Sequence, residues 1–147
     1  MLEFQGSGFT LEIPEGCVDA SVYTFVFPEK GGFSANLMIR LEKVNEAFDL
    51  QDYVEGQLEA LKQKVEGFEL LTQASGKRGA WDGVMSIYEW GSGVTRMRQK
   101  QVALLIPGES PRVYILTTTD LASQGANSDP VFDQMLRSFN ANESQLL

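Results

Sequence analysis

A chain of 147 residues, 43% apolar and 22% charged, has the size and composition of one globular domain with its own core. Its 12 basic residues against 20 acidic ones give a formal net charge of −8, which argues against a phosphate backbone as the main partner. The absence of histidine excludes Ser-His and Cys-His nucleophile pairs, imidazole metal sites and imidazole-based pH switching.

The opening residues, Met1-Leu2-Glu3-Phe4, lack the charged n-region and apolar h-region of a signal peptide. The longest apolar run, Val102 to Pro107, falls far short of the roughly 18 residues that cross a bilayer. A soluble cytoplasmic protein without direct membrane insertion is expected. Phe9 to Ile13 alternates and stops at Pro14, which predicts a short strand followed by a Glu15-Gly16 turn. Cys17 is the single cysteine, so it has no partner for an internal disulfide, zinc motif or redox motif. With Glu15 and Asp19 beside it, it is expected as a buried or half-buried small side chain, not a reactive thiol. Val22 to Phe27, β-branched and aromatic, is ended by Pro28 and Gly31-Gly32. Asn36 to Leu41 forms a third strand, with Leu37, Ile39 and Leu41 on one face and Asn36, Met38 and Arg40 on the other. These three strands are expected to form an antiparallel meander.

Leu50, Val54, Leu58, Leu61 and Val65 recur at the spacing of one helical face, with Asp49 as N-cap, Asp52 in the first turn and Gly67 after the end. Four strands follow, at Phe68 to Gln73, Trp81 to Trp90, Val94 to Ile106 and Arg112 to Thr118, with Gly76-Lys77-Arg78-Gly79 as a charged hairpin turn. A last helix is predicted from Pro130 to Phe139, capped by Ser128 or Asp129, with Phe132, Met135, Leu136 and Phe139 as its stripe. Residues 1–139 therefore read as one α+β domain, a twisted antiparallel sheet with two main helices, and 140–147 as a polar tail.

Two glutamines interrupt this pattern. Gln57 falls between Tyr53 and Leu61, inside the apolar stripe of its helix. It either reaches water or a loop carbonyl from the stripe's edge, or is kept to bond a partner. Gln101 shares a strand face with Thr95, Met97, Gln99 and Ala103, while Arg96, Arg98 and Lys100 take the other. That arrangement suits a solvated edge strand blunted by its basic residues, or an uncharged binding face. The basic trio could meet nucleic acid, but the net charge opposes it. Trp81, Met85 and Ile87 oppose Val84, Tyr88 and Trp90, and Val113 and Ile115 oppose Tyr114 and Leu116, so the sheet must be covered on both sides. The two helices are expected to cover one face, leaving the other for a loop, a subunit or an apolar ligand. A concave apolar face sprinkled with Gln, Asn, Thr and Met suits a hydrophobic peptide carrying some polar atoms. No carboxylate pair, phosphate-binding loop or Gly-x-Gly-x-x-Gly marks a reaction centre. Neither catalytic residues nor metal ligands nor cofactors are assigned, and no enzyme activity is expected.

The order of elements, with Leu11-Glu12-Ile13-Pro14, Ser21-Val22-Tyr23-Thr24-Phe25, Tyr53-Val54-Glu55-Gly56-Gln57-Leu58, Gly67-Phe68-Glu69-Leu70 and Arg98-Gln99-Lys100-Gln101-Val102, resembles the effector-associated (Eag) chaperones of bacterial type VI secretion, in the DcrB-like group with a Mog1/PsbP-like fold. The resemblance runs from about Phe9 to Phe139. It implies a homodimeric cytoplasmic chaperone whose groove shields the N-terminal transmembrane helices of a toxin effector before loading on the secretion spike, which it would meet only through the effector. The family's helix glutamine corresponds to Gln57 and its late-strand glutamine to Gln101, with groove positions at Val22, Thr24, Met38, Leu61, Val65 and Met97. Thr24 and Met38 replace aliphatic β-branched residues, and Asn36 and Arg40 stand where small serines are common. The alternative is a non-catalytic module of the same fold that binds a soluble peptide or small apolar ligand.

Overall fold

Alternation of apolar and polar residues builds six strands into one antiparallel sheet in the order β3-β4-β8-β7-β6-β5. The strands are β3 (Val22–Val26), β4 (Asn36–Lys43), β5 (Glu69–Arg78), β6 (Trp81–Trp90), β7 (Met97–Ile106) and β8 (Arg112–Leu121). The helices are α1 (Leu50–Lys64) and α2 (Gly125–Ser138). Near the N-terminus, β1 (Leu2–Gln5) and β2 (Thr10–Ile13) form a separate two-stranded hairpin. The computed structural model describes residues 1–28 and 32–141. The α+β class, with an antiparallel sheet and two main helices, is as expected.

The helices lie on opposite faces of the sheet, not together on one. Leu50, Val54 and Leu58 of α1 pack with Val84, Tyr88, Ala103, Val113 and Ile115. On the other side, Phe132 and Leu136 of α2 pack with Leu37, Trp81, Leu104, Ile106 and Leu116. One apolar stripe cannot cover a six-stranded sheet, and strands apolar on both faces draw one helix to each side. Burying each of these Leu, Val and Phe side chains contributes about 1.5–3 kcal/mol.

Helix α1 begins as predicted, with the Asp49 carboxylate accepting from the Asp52 N–H at 2.9 Å. Val65 ends it in an extended conformation, and Gly67 follows at φ +67°. A side chain at Gly67 would put its Cβ 3.0 Å from the Gly91 carbonyl oxygen, so the chain's return toward β5 needs glycine on two counts.

Helix α2 starts at Gly125, five residues before the predicted Pro130, which lies inside it. Neither Ser128 nor Asp129 caps it. Asp129 instead pairs with Arg98 at 3.1 Å, and Asp133 with Lys100 at 2.7 Å, so sheet cations hold the second and third turns, just beyond a first turn of low helix propensity. At the other end Arg78 donates to the carbonyls of Leu136, Arg137 and Phe139, covering orphan acceptors of the helix C-terminus.

Other expectations are corrected. The strand at Phe9–Ile13 pairs with β1 as β2, not with β3, so the meander reduces to β3-β4. Cys17 is exposed. Lys77 and Arg78 belong to β5, and the β5–β6 turn is Gly79-Ala80, with Gly79 at φ +63°. Gly93 at φ +61° opens a 3₁₀ turn over Gly93–Thr95, so β7 starts at Met97 and Thr95 is outside it. Ala141 is buried against α2's core, so the tail's first residues pack; residues 142–147, like the predicted turn at Gly31, lie outside the described residues.

Candidate functional site

Register across the sheet puts every strand residue expected in the groove on the α1 face. Thr24 stands opposite Met38, Met38 opposite Thr117, Thr117 opposite Gln101, and Gln101 opposite Ser86. The next row runs Val26, Asn36, Thr119, Gln99 and Tyr88, and Val22 stands opposite Arg40. Because α1 packs over β6, β7 and β8, the β3–β4 end of this face stays open. Val22 is 43% and Met38 42% exposed, Thr24 is exposed, and Asn36 and Met97 are half-buried.

The wall of this groove is the flank of α1 that carries Tyr53, Gln57 and Leu61, spaced one helical turn apart. Arg40 of β4 reaches that flank, donating to the Gln57 Oε1 at 2.9 Å and the Tyr53 hydroxyl at 3.3 Å. Gln57 is exposed at the stripe's edge, within reach of water as one reading expects, and its Oε1 accepts from Arg40, not from a loop. With its oxygen engaged, it presents its N–H groups to the groove as donors. Leu61 and Val65 are half-buried farther along the helix.

Arg40 on a groove face is tolerable because it is paired. Glu42 lies 3.6 Å away, and Tyr53 donates to the Glu42 carboxylate at 3.1 Å. Burial pushes the Tyr53 hydroxyl up to about 12, with Arg40 opposing and Glu42 reinforcing the rise. Tyr88 is likewise pushed up to about 12, chiefly by burial and against Arg40. Both hydroxyls stay neutral donors at ordinary pH.

The floor is polar and uncharged. Tyr88 donates to the Gln99 Oε1 at 2.8 Å, and Gln99 donates to the Thr119 hydroxyl at 2.9 Å. Gln73 donates to the fully buried Ser86 hydroxyl at 3.2 Å and accepts from Gln51 of α1 at 3.0 Å. Gln101, at the centre, is only 8% exposed. It has no side-chain hydrogen bond among the described residues, although Ser86 and Thr117 flank it. The solvated-edge reading of this strand fails, since β7 lies between β6 and β8. The basic trio is also accounted for: Arg96 and Arg98 pair with Glu89 at 3.0 and 3.4 Å, and Arg98 and Lys100 dock α2.

Sequence reasoning singled out Gln57 and Gln101 but missed Tyr53, Thr117 and Thr119 as parts of this face. The signal for Tyr53 was its place one turn before Gln57; for Thr117 it was the alternation inside the predicted strand, and for Thr119 its continuation past Thr118. A cavity of about 310 Å³ lies elsewhere, lined by Asn45, Phe48, Leu105, Pro107 and Pro111. Among the described residues no cluster of His, Cys, Asp and Glu could hold a metal ion, and no helix is long and apolar enough to cross a membrane.

Comparison with solved structures shows the fold. A Pseudomonas aeruginosa protein of unknown function, PA94, shares 23% identity at a TM-score of 0.75, with 97% of each chain covered. The cyanobacterial PsbP (CyanoP) of Synechocystis sp. PCC 6803 is 12% identical at 0.55, covering 90% of this chain and 99% of its own. The Ran-binding protein Mog1p of Saccharomyces cerevisiae is 12% identical at 0.50, covering 81% of this chain and 68% of its own. The fold is Mog1/PsbP-like. No curated protein sequence matches the chain. The DcrB family profile matches residues 9–138, a span that includes the whole groove, and the chain belongs to the DcrB family.

Proposed function

We propose that this chain is an Eag-type chaperone of type VI secretion, a binding protein and not an enzyme, whose groove holds an N-terminal transmembrane helix of a cognate toxin effector. The observation that carries the reading is Gln101, a residue 8% exposed on the floor of an open groove, whose amide has no hydrogen-bond partner among the described residues and keeps its polar atoms open to the groove. An amide that the fold itself does not use, with its polar atoms open to the groove, is free to bond a ligand held there.

The chemistry of the client follows from the rest of the face. Transmembrane helices associate through small residues and interhelical hydrogen bonds. A soluble groove that stands in for a helical neighbour must cover apolar surface, as Val22, Met38, Leu61, Val65 and Met97 would, and bond polar groups without bringing a charge. Amides and hydroxyls do so at lower desolvation cost than ions. Gln57 would donate, Gln101 would donate or accept, and Asn36 and Thr24 would serve the open end. Loading on the spike would then proceed through the effector.

Co-expression of the tagged chain with effector N-terminal fragments, followed by light scattering of the soluble fraction, tests this. The expected result is a stable complex that disappears when the apolar helices are deleted from the fragment. Gln57→Ala and Leu61→Asp should abolish it while circular dichroism stays unchanged. Normal binding by both variants would refute the groove assignment. A chain that leaves every fragment insoluble but carries extractable lipid would point to an apolar small ligand instead.

A further inference from the structure

Arg40 puts a cation on the groove face among uncharged neighbours: Val22 and Ile115 stand opposite it, and Met38 and then Asn36 follow on the same face of β4. Both of its hydrogen bonds, to Gln57 and Tyr53, leave from Nη2. Nη1 comes no closer to Glu42 than 3.6 Å, and Nε bonds nothing among the described residues. The guanidinium fork therefore keeps unused N–H groups at 38% side-chain exposure. With its oxygen taken, Gln57 adds its amide N–H groups beside them. The Glu42 carboxylate accepts from Tyr53 and lies farther along β4, with Arg40 between it and Met38. This end of the groove offers donors and a positive charge, while the rows of Met38 and Asn36 carry no charge.

An apolar helix lying along those rows has nothing on its flanks to meet a guanidinium, and a charge set against apolar surface is costly. Its C-terminal end is different. The last carbonyls of a helix lack intrahelical partners and together carry about half a negative charge. The chain finishes its own helices with arginine: Arg78 donates to the carbonyls of Leu136, Arg137 and Phe139 at the end of α2, and Arg96 to those of Gly67 and Gly91 just past α1.

The direction of α1 agrees. The row of Arg40 continues through Ile115 and Ala103 to Val84, near the start of β6. Tyr53, early in α1, bonds at that row, whereas the Glu66 carbonyl beyond the end of α1 accepts from Gly91, past the far end of β6. A helix whose C-terminus meets Arg40 therefore runs antiparallel to α1, with the two macrodipoles opposed. Resting on the chaperone reading, we propose that Arg40 fixes the direction of the bound helix by taking its C-terminal carbonyls, with the Gln57 amide as second donor. Arg40 is then a specificity-determining residue of the groove.

Fluorescence anisotropy on the full chain, with a labelled peptide of about 20 Leu, Ala and Ser residues as probe, tests this. Both peptide ends are varied: carboxylate or amide at the C-terminus, free or acetylated at the N-terminus. Wild type should bind the carboxylate form about tenfold more tightly than the amide, and Arg40→Met should bind them alike. The net charge of −8 works against a carboxylate, so this preference needs a local cation. Acetylation should change both proteins equally. Wild type binding the carboxylate and the amide alike would overturn the proposal whatever the variant does, and would leave the chaperone reading standing. An Arg40-dependent effect at the N-terminal end instead would run the helix the other way and overturn it too. Wild type binding no form of the peptide would remove the groove reading, and the direction with it.

Discussion

Replacing Gln101 by methionine is expected to stabilise the free protein while removing its capacity to hold a client. Methionine keeps the length of the side chain and removes its two polar atoms. In the native fold those atoms sit at 8% residue exposure, flanked by Ser86 and Thr117, without a hydrogen bond among the described residues. A fully buried unpaired amide costs about 1–3 kcal/mol, but the Gln101 amide atoms keep contact with solvent, which puts its cost at or below the low end of that range. The gain on removing it is therefore about 0.5–1 kcal/mol, to which methionine adds some apolar burial. For a chain of this size 1 kcal/mol shifts Tm by about 2–4 °C, so a rise of roughly 1–4 °C is expected. Scanning calorimetry with urea melts at matched pH measures it, and effector co-expression reads out binding. A Gln101→Met variant that melts at or below wild type would refute the argument, because the amide would then have been satisfied in the free state. Gln101→Ala does not serve, since its cavity would hide the gain.

Alkaline stability tests the buried hydroxyls. Tyr88 titrates near 10 when unfolded and is pushed up to about 12 when folded, so its contribution is complete below pH 10 and is lost as pH rises toward 12, on the order of 2 kcal/mol. Urea melts between pH 9 and 12 should therefore fall more steeply for wild type than for Tyr88→Phe; parallel slopes would count against it. Lys100 and Asp133, both partly exposed at 2.7 Å, should show a coupling of about 0.5–1 kcal/mol in a double-mutant cycle, reduced by salt. Gly67→Ala should lower stability by about 1–3 kcal/mol, because φ is +67° and the Gly91 carbonyl stands 3.0 Å from the new Cβ, and a neutral result in chemical denaturation would contradict that geometry.

Helix α1 was legible in the sequence because everything that defines it is local: the Leu50–Val54–Leu58 repeat, the Asp49 cap and the glycine beyond its end. The strands were legible by alternation, and the two glutamines by breaking their patterns. Non-local pairing stayed hidden. Nothing near Phe9–Ile13 says that it pairs with Leu2–Gln5 and not with Val22–Val26, and β1 itself is too short and too mixed to stand out. The start of α2 was misplaced for a related reason. Gly125-Ala126-Asn127-Ser128-Asp129 reads as a loop with a cap, yet Arg98 lies 3.2 Å from where a Gly125 side chain would begin and binds Asp129, so packing overrides propensity there. That Arg40 would reach across to Gln57 was likewise invisible, because it depends on which flank of α1 faces β4.

The sheet order also governs when this groove can exist. Strands β5 to β8 are successive antiparallel neighbours, and such local pairings form early, before long loops must close. Strand β4 pairs instead with β8, Asn36 opposite Thr119 and Lys43 opposite Arg112, so its partner is the last strand made on the ribosome. Half of the groove floor, Thr24, Asn36 and Met38 among it, therefore waits on a bond to the end of the sheet. A chain still in synthesis holds the α1 wall and no opposite bank, so the capacity to receive a ligand arises only after β8 has emerged.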